Sequence, residues 1–72
     1  MLITISRSKK PRCSYSIILD SFLIDNDNIS FIYNDTGYCF HFDFLSYVNG
    51  EFELFVSSNV FDDINLLFWG NE

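Results

Sequence analysis

A chain of 72 residues, 49% of them hydrophobic and nine of them phenylalanine, has room for one small domain and is too apolar to remain disordered. Its formal net charge is −6, and the charges are segregated: the four bases lie within Arg7–Arg12, and all ten acids lie from Asp20 onward. A base-free segment of this kind repels nucleic acid and anionic membranes and attracts basic surfaces. We therefore treat residues 1–72 as a single small acidic domain.

The cysteines and the apolar runs bear on where the protein acts. Cys13 and Cys39 have no C-x-x-C spacing, and the apolar start MLITI precedes the positive charges instead of following them, unlike a secretory signal. No apolar run approaches the roughly 18 residues that a membrane span needs. These features predict a cytoplasmic protein, in the producing or the host cell, without a membrane partner.

The first third of the chain predicts two strands. MLITIS alternates as a strand, and the proline and like charges of RSKKPR end it in a solvated connection. CSYSIILDSFLI alternates through Tyr15, Ile17 and Leu19, and then the apolar parity changes, which is typical of a β-bulge near Asp20 or Ser21. DNDN predicts the turn that ends this strand.

The register of the next hairpin follows from matching apolar faces. A four-residue loop at Asn34–Gly37 predicts the following pairs on one face: Tyr33 with Tyr38, Phe31 with Phe40, and Ile29 with Phe42. The opposite face receives Ser30, Ile32, Cys39 and His41.

A third hairpin is predicted around SYVNG. A two-residue turn at Asn49–Gly50 sets Asp43 against Val56 and Ser46 against Glu53, which mixes the faces, so this register is rejected. A longer loop instead predicts these pairs: Phe44 with Phe52, Phe42 with Leu54, and Phe40 with Val56. In that register Asp43 faces Glu53, a destabilising like-charge pair.

The C-terminus changes to a helical period through Val60, Phe61, Ile64, Leu67 and Phe68. Asn59 is the predicted N-cap, Asp62 and Asp63 suit the positive first turn, and Gly70 suits the C-cap. The predicted fold is α+β, mainly β: an antiparallel meander of about five strands with one C-terminal amphipathic helix packed on the sheet. An additional strand at LLFW is the alternative.

The spacing C-x-H-x-D places Cys39, His41 and Asp43 on one side of a strand, where two of them can share a metal ion. A structural zinc site needs four ligands, and parallel side chains on one strand do not meet as a catalytic pair. The glycines are isolated and form no phosphate-binding loop. We expect neither an enzyme nor a cofactor.

The favoured hypothesis is a non-enzymatic inhibitor that binds a basic, nucleic-acid-binding protein such as a nuclease, and does not bind nucleic acid itself. Carboxylates would stand where phosphates otherwise meet lysine and arginine, and aromatic rings would supply anchors. The expected partner-binding residues are Asp25, Asp27, Asp35, Asp43, Glu51, Glu53, Tyr47 and Phe55.

In general character, being small, acidic and without catalytic motifs, the sequence resembles two classes of inhibitor. One comprises immunity or antitoxin proteins that neutralise nuclease toxins, and the other comprises phage anti-defence proteins, including anti-CRISPR proteins that mimic DNA charge. The alternative is a structural or assembly module that forms a homo-oligomer, such as a dimer, through an edge strand or exposed aromatics. The loop Arg7–Arg12 is either a solubilising loop, a phosphate-binding tract or a contact to a second copy.

Overall fold

The computed structural model describes residues 1–70, which form seven strands and one helix. The elements are β1 (Leu2–Arg7), β2 (Ser14–Ile18), β3 (Phe22–Asp25), β4 (Asn28–Tyr33), β5 (Thr36–His41), β6 (Phe44–Val48), β7 (Glu51–Val56) and α1 (Ser58–Trp69). The predicted mainly β fold with a C-terminal helix is confirmed. The strands are more numerous than the five expected, because two long predicted strands are each divided.

The strands form two sheets. Sheet A has the order β2-β1-β7-β6, and sheet B has the order β3-β4-β5. Neighbouring strands are antiparallel except β1 and β7, which run parallel with Ile3 beside Phe52 and Ile5 beside Leu54. The chain therefore leaves sheet A after β2, builds all of sheet B, and returns to complete sheet A beside its first strand.

The chain crosses between the sheets at two short connections. The predicted bulge near Asp20 is instead the first crossing, where buried Leu19 donates its N–H to the Met1 carbonyl at 2.9 Å before β3 begins. The second crossing divides the predicted strand through Phe40 to Phe44. There Phe42 N–H bonds to Asp27 O in sheet B at 2.9 Å, and Asp43 N–H bonds to Phe55 O in sheet A at 2.7 Å.

The β4-β5 hairpin keeps its predicted faces but not its predicted partners. Asn34 and Asp35 form a two-residue turn with φ of 51° and 62°, so Phe31 lies opposite Tyr38 and Ile29 opposite Phe40. The predicted register is wrong by two residues. Because side chains alternate with period two, this shift leaves every side chain on its predicted face.

The β6-β7 hairpin uses the two-residue turn that the sequence argument rejected. Asn49 and Gly50 have φ of 54° and 80°, which is typical of a type I′ turn, and Val48 pairs with Glu51. The predicted pairs Phe44–Phe52, Phe42–Leu54 and Phe40–Val56 are therefore wrong. Ser46, not Asp43, lies opposite Glu53, so the expected like-charge pair does not form.

The core lies between the sheets and is closed on one side by α1. Its buried side chains are Ile3, Ile5, Ile17, Leu19, Ile29, Phe31, Phe42, Leu54, Val56, Phe61 and Ile64. The helix contacts the inner faces of both sheets, since Phe61 packs on Tyr15 with ring centroids 4.7 Å apart and Phe68 packs on Tyr33 at 4.2 Å. The predicted cover over the aromatic face is thus present.

The helix begins earlier than predicted. Ser57 is the N-cap, with its hydroxyl accepting from Val60 N–H at 3.2 Å, so the predicted N-cap Asn59 lies inside the helix. Asp62 and Asp63 consequently lie beyond the first turn. Gly70 is the C-cap, as predicted. The competing strand at LLFW is excluded because those residues are helical.

Gly50 in the β6-β7 turn and Gly37 in β5 allow a matched test of that turn. Gly50→Ala places a side chain at φ +80°, which disfavours an L-residue by about 1–2 kcal/mol, although no atom lies within 4 Å of the added methyl group. Gly37→Ala also meets nothing within 4 Å and needs no positive φ, so we expect it to be neutral or slightly stabilising. Urea unfolding of both variants measures the difference. Equal stabilities would contradict the assigned turn.

Tyr15 makes the fold sensitive to alkaline pH. Its hydroxyl donates to Phe61 O at 2.6 Å, and its partial burial, reinforced by the charge of Asp62, raises its pKa well above the ordinary tyrosine range. Above about pH 10 the unfolded chain ionises this tyrosine while the folded chain keeps its proton. The unfolded state then binds fewer protons, so the free energy of unfolding falls as pH rises.

We expect Tyr15→Phe to be less stable than wild type at pH 7 by about 1 kcal/mol and to lose less stability between pH 9 and pH 11, a range chosen to bracket the ordinary tyrosine pKa of about 10. Urea titrations at several pH values measure both effects. Parallel pH profiles for the two proteins would show that Tyr15 is not the group responsible.

Candidate partner-binding surfaces

The carboxylates of residues 1–70 have no lysine or arginine partner. The carboxylate contacts to a basic side chain within 4.0 Å in this part of the chain are those of His41, whose Nδ1 lies 3.5 Å from Asp27 and whose Nε2 lies 3.5 Å from Asp43. The negative charge predicted from the sequence is thus directed at solvent. It is available to a second molecule without breaking a Lys or Arg ion pair of the fold.

The basic loop occupies one end of sheet A. Arg7 donates from Nη2 to Ser58 Oγ at 3.0 Å and lies 5.8 Å from the Phe61 ring, while Arg12 lies 6.0 Å from the Phe55 ring. Both guanidinium groups are therefore held against aromatic rings of the same chain. Lys9 and Lys10 are exposed.

Asp43 lies beside this basic loop. Its Oδ2 accepts from the Ser8 hydroxyl at 2.6 Å, and Ser8 also bonds to the Val56 carbonyl at 3.0 Å. The Ser8–Asp43 hydrogen bond thus connects the β1-β2 loop to the second crossing between the sheets.

Glu51, Glu53 and Phe55 share the outer face of sheet A because they alternate along β7. Glu53 is half-buried and accepts from Ser6 Oγ at 2.7 Å. Phe55 packs against Phe44 with ring centroids 5.7 Å apart. The outer face of sheet A therefore combines one bound carboxylate, one free carboxylate and a ring pair.

Tyr47 does not join that face. It lies opposite Phe52 on the inner side of sheet A, and the two ring centroids are 4.5 Å apart. Because β6 is an edge strand, the ring remains 60% exposed. A partner can therefore reach Tyr47 at the β6 edge of sheet A, and not from the outer face that carries Glu51.

The outer face of sheet B is apolar and exposed, and the sequence argument did not single it out. We define the sheet B face as Leu23, Ser30, Ile32, Gly37 and Cys39. Leu23 is 64% exposed and Ile32 72% exposed, and a shallow groove of about 490 Å³ runs over them. The sequence does contain an indication of this face: Leu23 and Ile32 are aliphatic residues at strand positions that point away from the core, where polar residues are usual.

Three of the expected acids surround the sheet B face. Asp25 and Asp27 lie at the β3-β4 turn, and Asp35 lies at the β4-β5 turn, at the other end of β4. The two ends of that strand are roughly 17 Å apart at the rise of a β-strand. The structure therefore brings Asp25, Asp27 and Asp35 around one face, and it separates them from Glu51 and Glu53.

The C-x-H-x-D residues do not assemble a catalytic or metal centre in the described residues. His41 contacts Asp27 and Asp43 at 3.5 Å each. Within residues 1–70, no group of three or more His, Cys, Asp and Glu side chains is arranged to hold a metal ion. The same residues contain no helix with the length and apolar character needed to cross a bilayer.

Unpaired carboxylates carry a cost for the fold, and this is testable. Asp25→Asn removes a charge two residues from Asp27, so we expect the free energy of unfolding to rise by up to about 0.5 kcal/mol at low salt and the gain to vanish at high salt. Asp43→Asn removes a charged acceptor from Ser8 and His41, so we expect a loss instead. Urea unfolding at two salt concentrations measures both. A loss from Asp25→Asn would mean that this carboxylate stabilises the fold.

Comparison of the chain with protein-family models, with curated proteins and with solved structures finds no match in any of the three. The function of the surfaces described above therefore has to be argued from their own residues.

Proposed function

We propose that this protein is a non-enzymatic inhibitor that binds a basic, nucleic-acid-binding surface of another protein, such as a nuclease effector, in the cytoplasm. It would then act as an anti-defence protein, for example an anti-CRISPR protein, or as a toxin-immunity protein. The observation that carries the proposal is that, among residues 1–70, no Lys or Arg nitrogen lies within 4.0 Å of a carboxylate of the same residues. A fold that leaves its acids unpaired retains their full electrostatic attraction for a partner.

The inhibition follows from occupancy. Carboxylates at Asp25, Asp27, Asp35 and Glu51 meet lysine and arginine side chains that otherwise contact phosphates, and the bound protein blocks access of nucleic acid. Long-range attraction raises the association rate at low salt. Asp43 and Glu53 belong to the same proposed set, although each already accepts a serine hydroxyl. Tyr47, on the β6 edge, and Phe55, on the outer face of sheet A, add ring contacts to the partner.

The experiment is capture of partners from a lysate of the source or host organism, followed by elution along a salt gradient and identification by mass spectrometry. We expect a basic nuclease or nucleic-acid-binding protein that salt releases. The purified partner should then lose nucleic-acid binding when this protein is added. A partner whose binding does not weaken at all as salt rises, or that keeps its nucleic-acid binding, would contradict the proposal.

Charge variants locate the contact. One triple variant neutralises the turn acids (Asp25→Asn, Asp27→Asn, Asp35→Asn), and a second neutralises the sheet A acids (Asp43→Asn, Glu51→Gln, Glu53→Gln). The control changes two exposed helix acids outside the proposed set (Asp62→Asn, Asp63→Asn). The control removes two charges and each triple variant removes three, so we expect a triple variant to lower the association rate and flatten its salt dependence more per charge removed than the control does. Equal effects per charge removed from all three variants would indicate only general charge attraction.

The alternative function is a homo-oligomeric assembly module. It is favoured by the open edges of both sheets, since β2, β6, β3 and β5 each pair on one side only within residues 1–70. Sedimentation at micromolar concentration separates the two functions. A dimer that is stable at all salt concentrations favours assembly, and a monomer favours the inhibitor.

A further inference from the structure

The sheet B face has the composition of a binding surface. In an antiparallel sheet with one face on the core, the outer face is ordinarily polar. Here Leu23 is 64% exposed to solvent and Ile32 is 72% exposed. Cys39 lies beside them. No residue of the described chain covers them. Their apolar area is buried only if a second molecule binds.

The groove has room for a side chain because Gly37 lines it. A Cβ atom built on Gly37 would have no other atom within 4 Å, so the surface beside Ile32 is open. Ser21 and Ser30 also line the groove and offer hydroxyl groups. The groove has a volume of about 490 Å³ and is shallow. It therefore suits an aliphatic side chain of a protein better than a small molecule, which binds in enclosed pockets.

The charges around the face define the occupant. Asp25 and Asp27 lie at one end and Asp35 at the other, and no lysine or arginine follows Arg12 in the chain. An apolar centre with a charged rim is the usual anatomy of a protein interface. The complementary surface has an aliphatic residue in its middle and positive charge on both sides.

We propose that the sheet B face docks an amphipathic basic segment of the partner, with an aliphatic side chain in the groove beside Gly37 and lysine or arginine side chains reaching Asp25 and Asp27 at one end and Asp35 at the other. This inference rests on the proposed function and names the contact it uses. Charge excludes nucleic acid as the occupant, because phosphates and the rim carboxylates repel each other.

A second copy of this chain fits the face poorly. Two sheet B faces brought together place like-charged rims in contact. The only basic segment of the chain is Arg7–Arg12, and in it Pro11 is the one apolar side chain. Arg7 and Arg12 are also already held against Phe61 and Phe55.

The two cysteines provide a direct readout of which face is occupied. Cys39 lies in the groove of sheet B, whereas Cys13 lies beside Glu53 and Phe55 on sheet A, and both thiols are free and exposed. Alkylation of the full chain with N-ethylmaleimide, quantified at each cysteine by mass spectrometry, therefore compares the two faces in one sample.

The probe is a synthetic helical peptide with a leucine stripe flanked by lysines, and the control peptide has the same charge and no leucine. With the leucine peptide at about ten times its Kd, we expect Cys39 alkylation to slow about tenfold, because only the free protein reacts, and Cys13 alkylation to stay unchanged. The control peptide should protect Cys39 much less. Protection of Cys13 alone, no protection of Cys39, or equal protection by both peptides would overturn the proposal.

A matched pair of variants tests the apolar contact. Ile32→Ser should raise the Kd of the leucine peptide by about tenfold or more, as loss of a buried aliphatic side chain predicts. Ile18→Ser is the control, since Ile18 is 70% exposed on the outer face of sheet A. Equal effects of the two variants would overturn the proposal.

The captured partner separates this inference from the proposed function. A basic partner that protects Cys39 supports both. A basic partner that is released by salt but protects Cys13, or neither thiol, overturns the docking face and leaves the inhibitor function standing. Protection of Cys39 by the leucine peptide without any basic partner in the lysate supports the face and contradicts the inhibitor. Protection of Cys39 by rising concentration of the protein alone assigns the face to a second copy and overturns the proposal.

Discussion

The parallel pairing of β1 with β7 is the interaction on which the rest of the structure depends. Ile3 and Ile5 are fully buried, and the strand that carries them bonds to β2 on one side and β7 on the other. The pairing joins the first strand of the chain to the last one. It continues beyond the strands, where Ser8 N–H donates to Val56 O at 2.8 Å. All of sheet B lies between β1 and β7 in the sequence. In a domain this small, a buried central strand that pairs with both an early and a late strand compensates for the limited core.

The fold achieves this without using charge. Its core is aliphatic and aromatic, and the carboxylates of residues 1–70 form no ion pair with lysine or arginine. Asp43 and Glu53 each accept a serine hydroxyl, but the acids without such a partner repel one another and do not stabilise the fold, which is the pattern expected where binding and stability make opposed demands on a surface. The basic loop at one end of sheet A gives the molecule a charge asymmetry, and a charge asymmetry orients an approaching basic partner toward the acidic side.

The sequence predicted which face each residue of a strand occupies better than it predicted which strands are neighbours. Alternation placed Ser30, Ile32, Cys39 and His41 together correctly, and a register error of two residues did not disturb this. The same alternation cannot show that the chain changes sheets at Phe42 and Asp43. The Asn49–Gly50 turn, which the structure contains, therefore looks from the sequence as if it mixes the faces. The β1-β7 pairing joins residues far apart in sequence and leaves no local turn signal. Likewise, the exposure of Leu23 depends on sheet B having no further layer outside it.

The two outer faces differ in what binding can gain from them. On sheet A, Phe55 already packs on Phe44 and lies near Arg12, so part of its apolar area is buried in the free protein. On sheet B, Leu23 and Ile32 remain mostly in water, as the cross-strand pair Leu2 and Ile18 does on sheet A. The free energy of removing apolar area from water is therefore still available on sheet B, at about 25 cal/mol per Å². Carboxylates accelerate encounter, but desolvated apolar contacts supply most of the lasting affinity. The sheet B face combines bare aliphatic side chains with acids at both ends that form no lysine or arginine pair, so it is the one that physical chemistry favours as the binding surface.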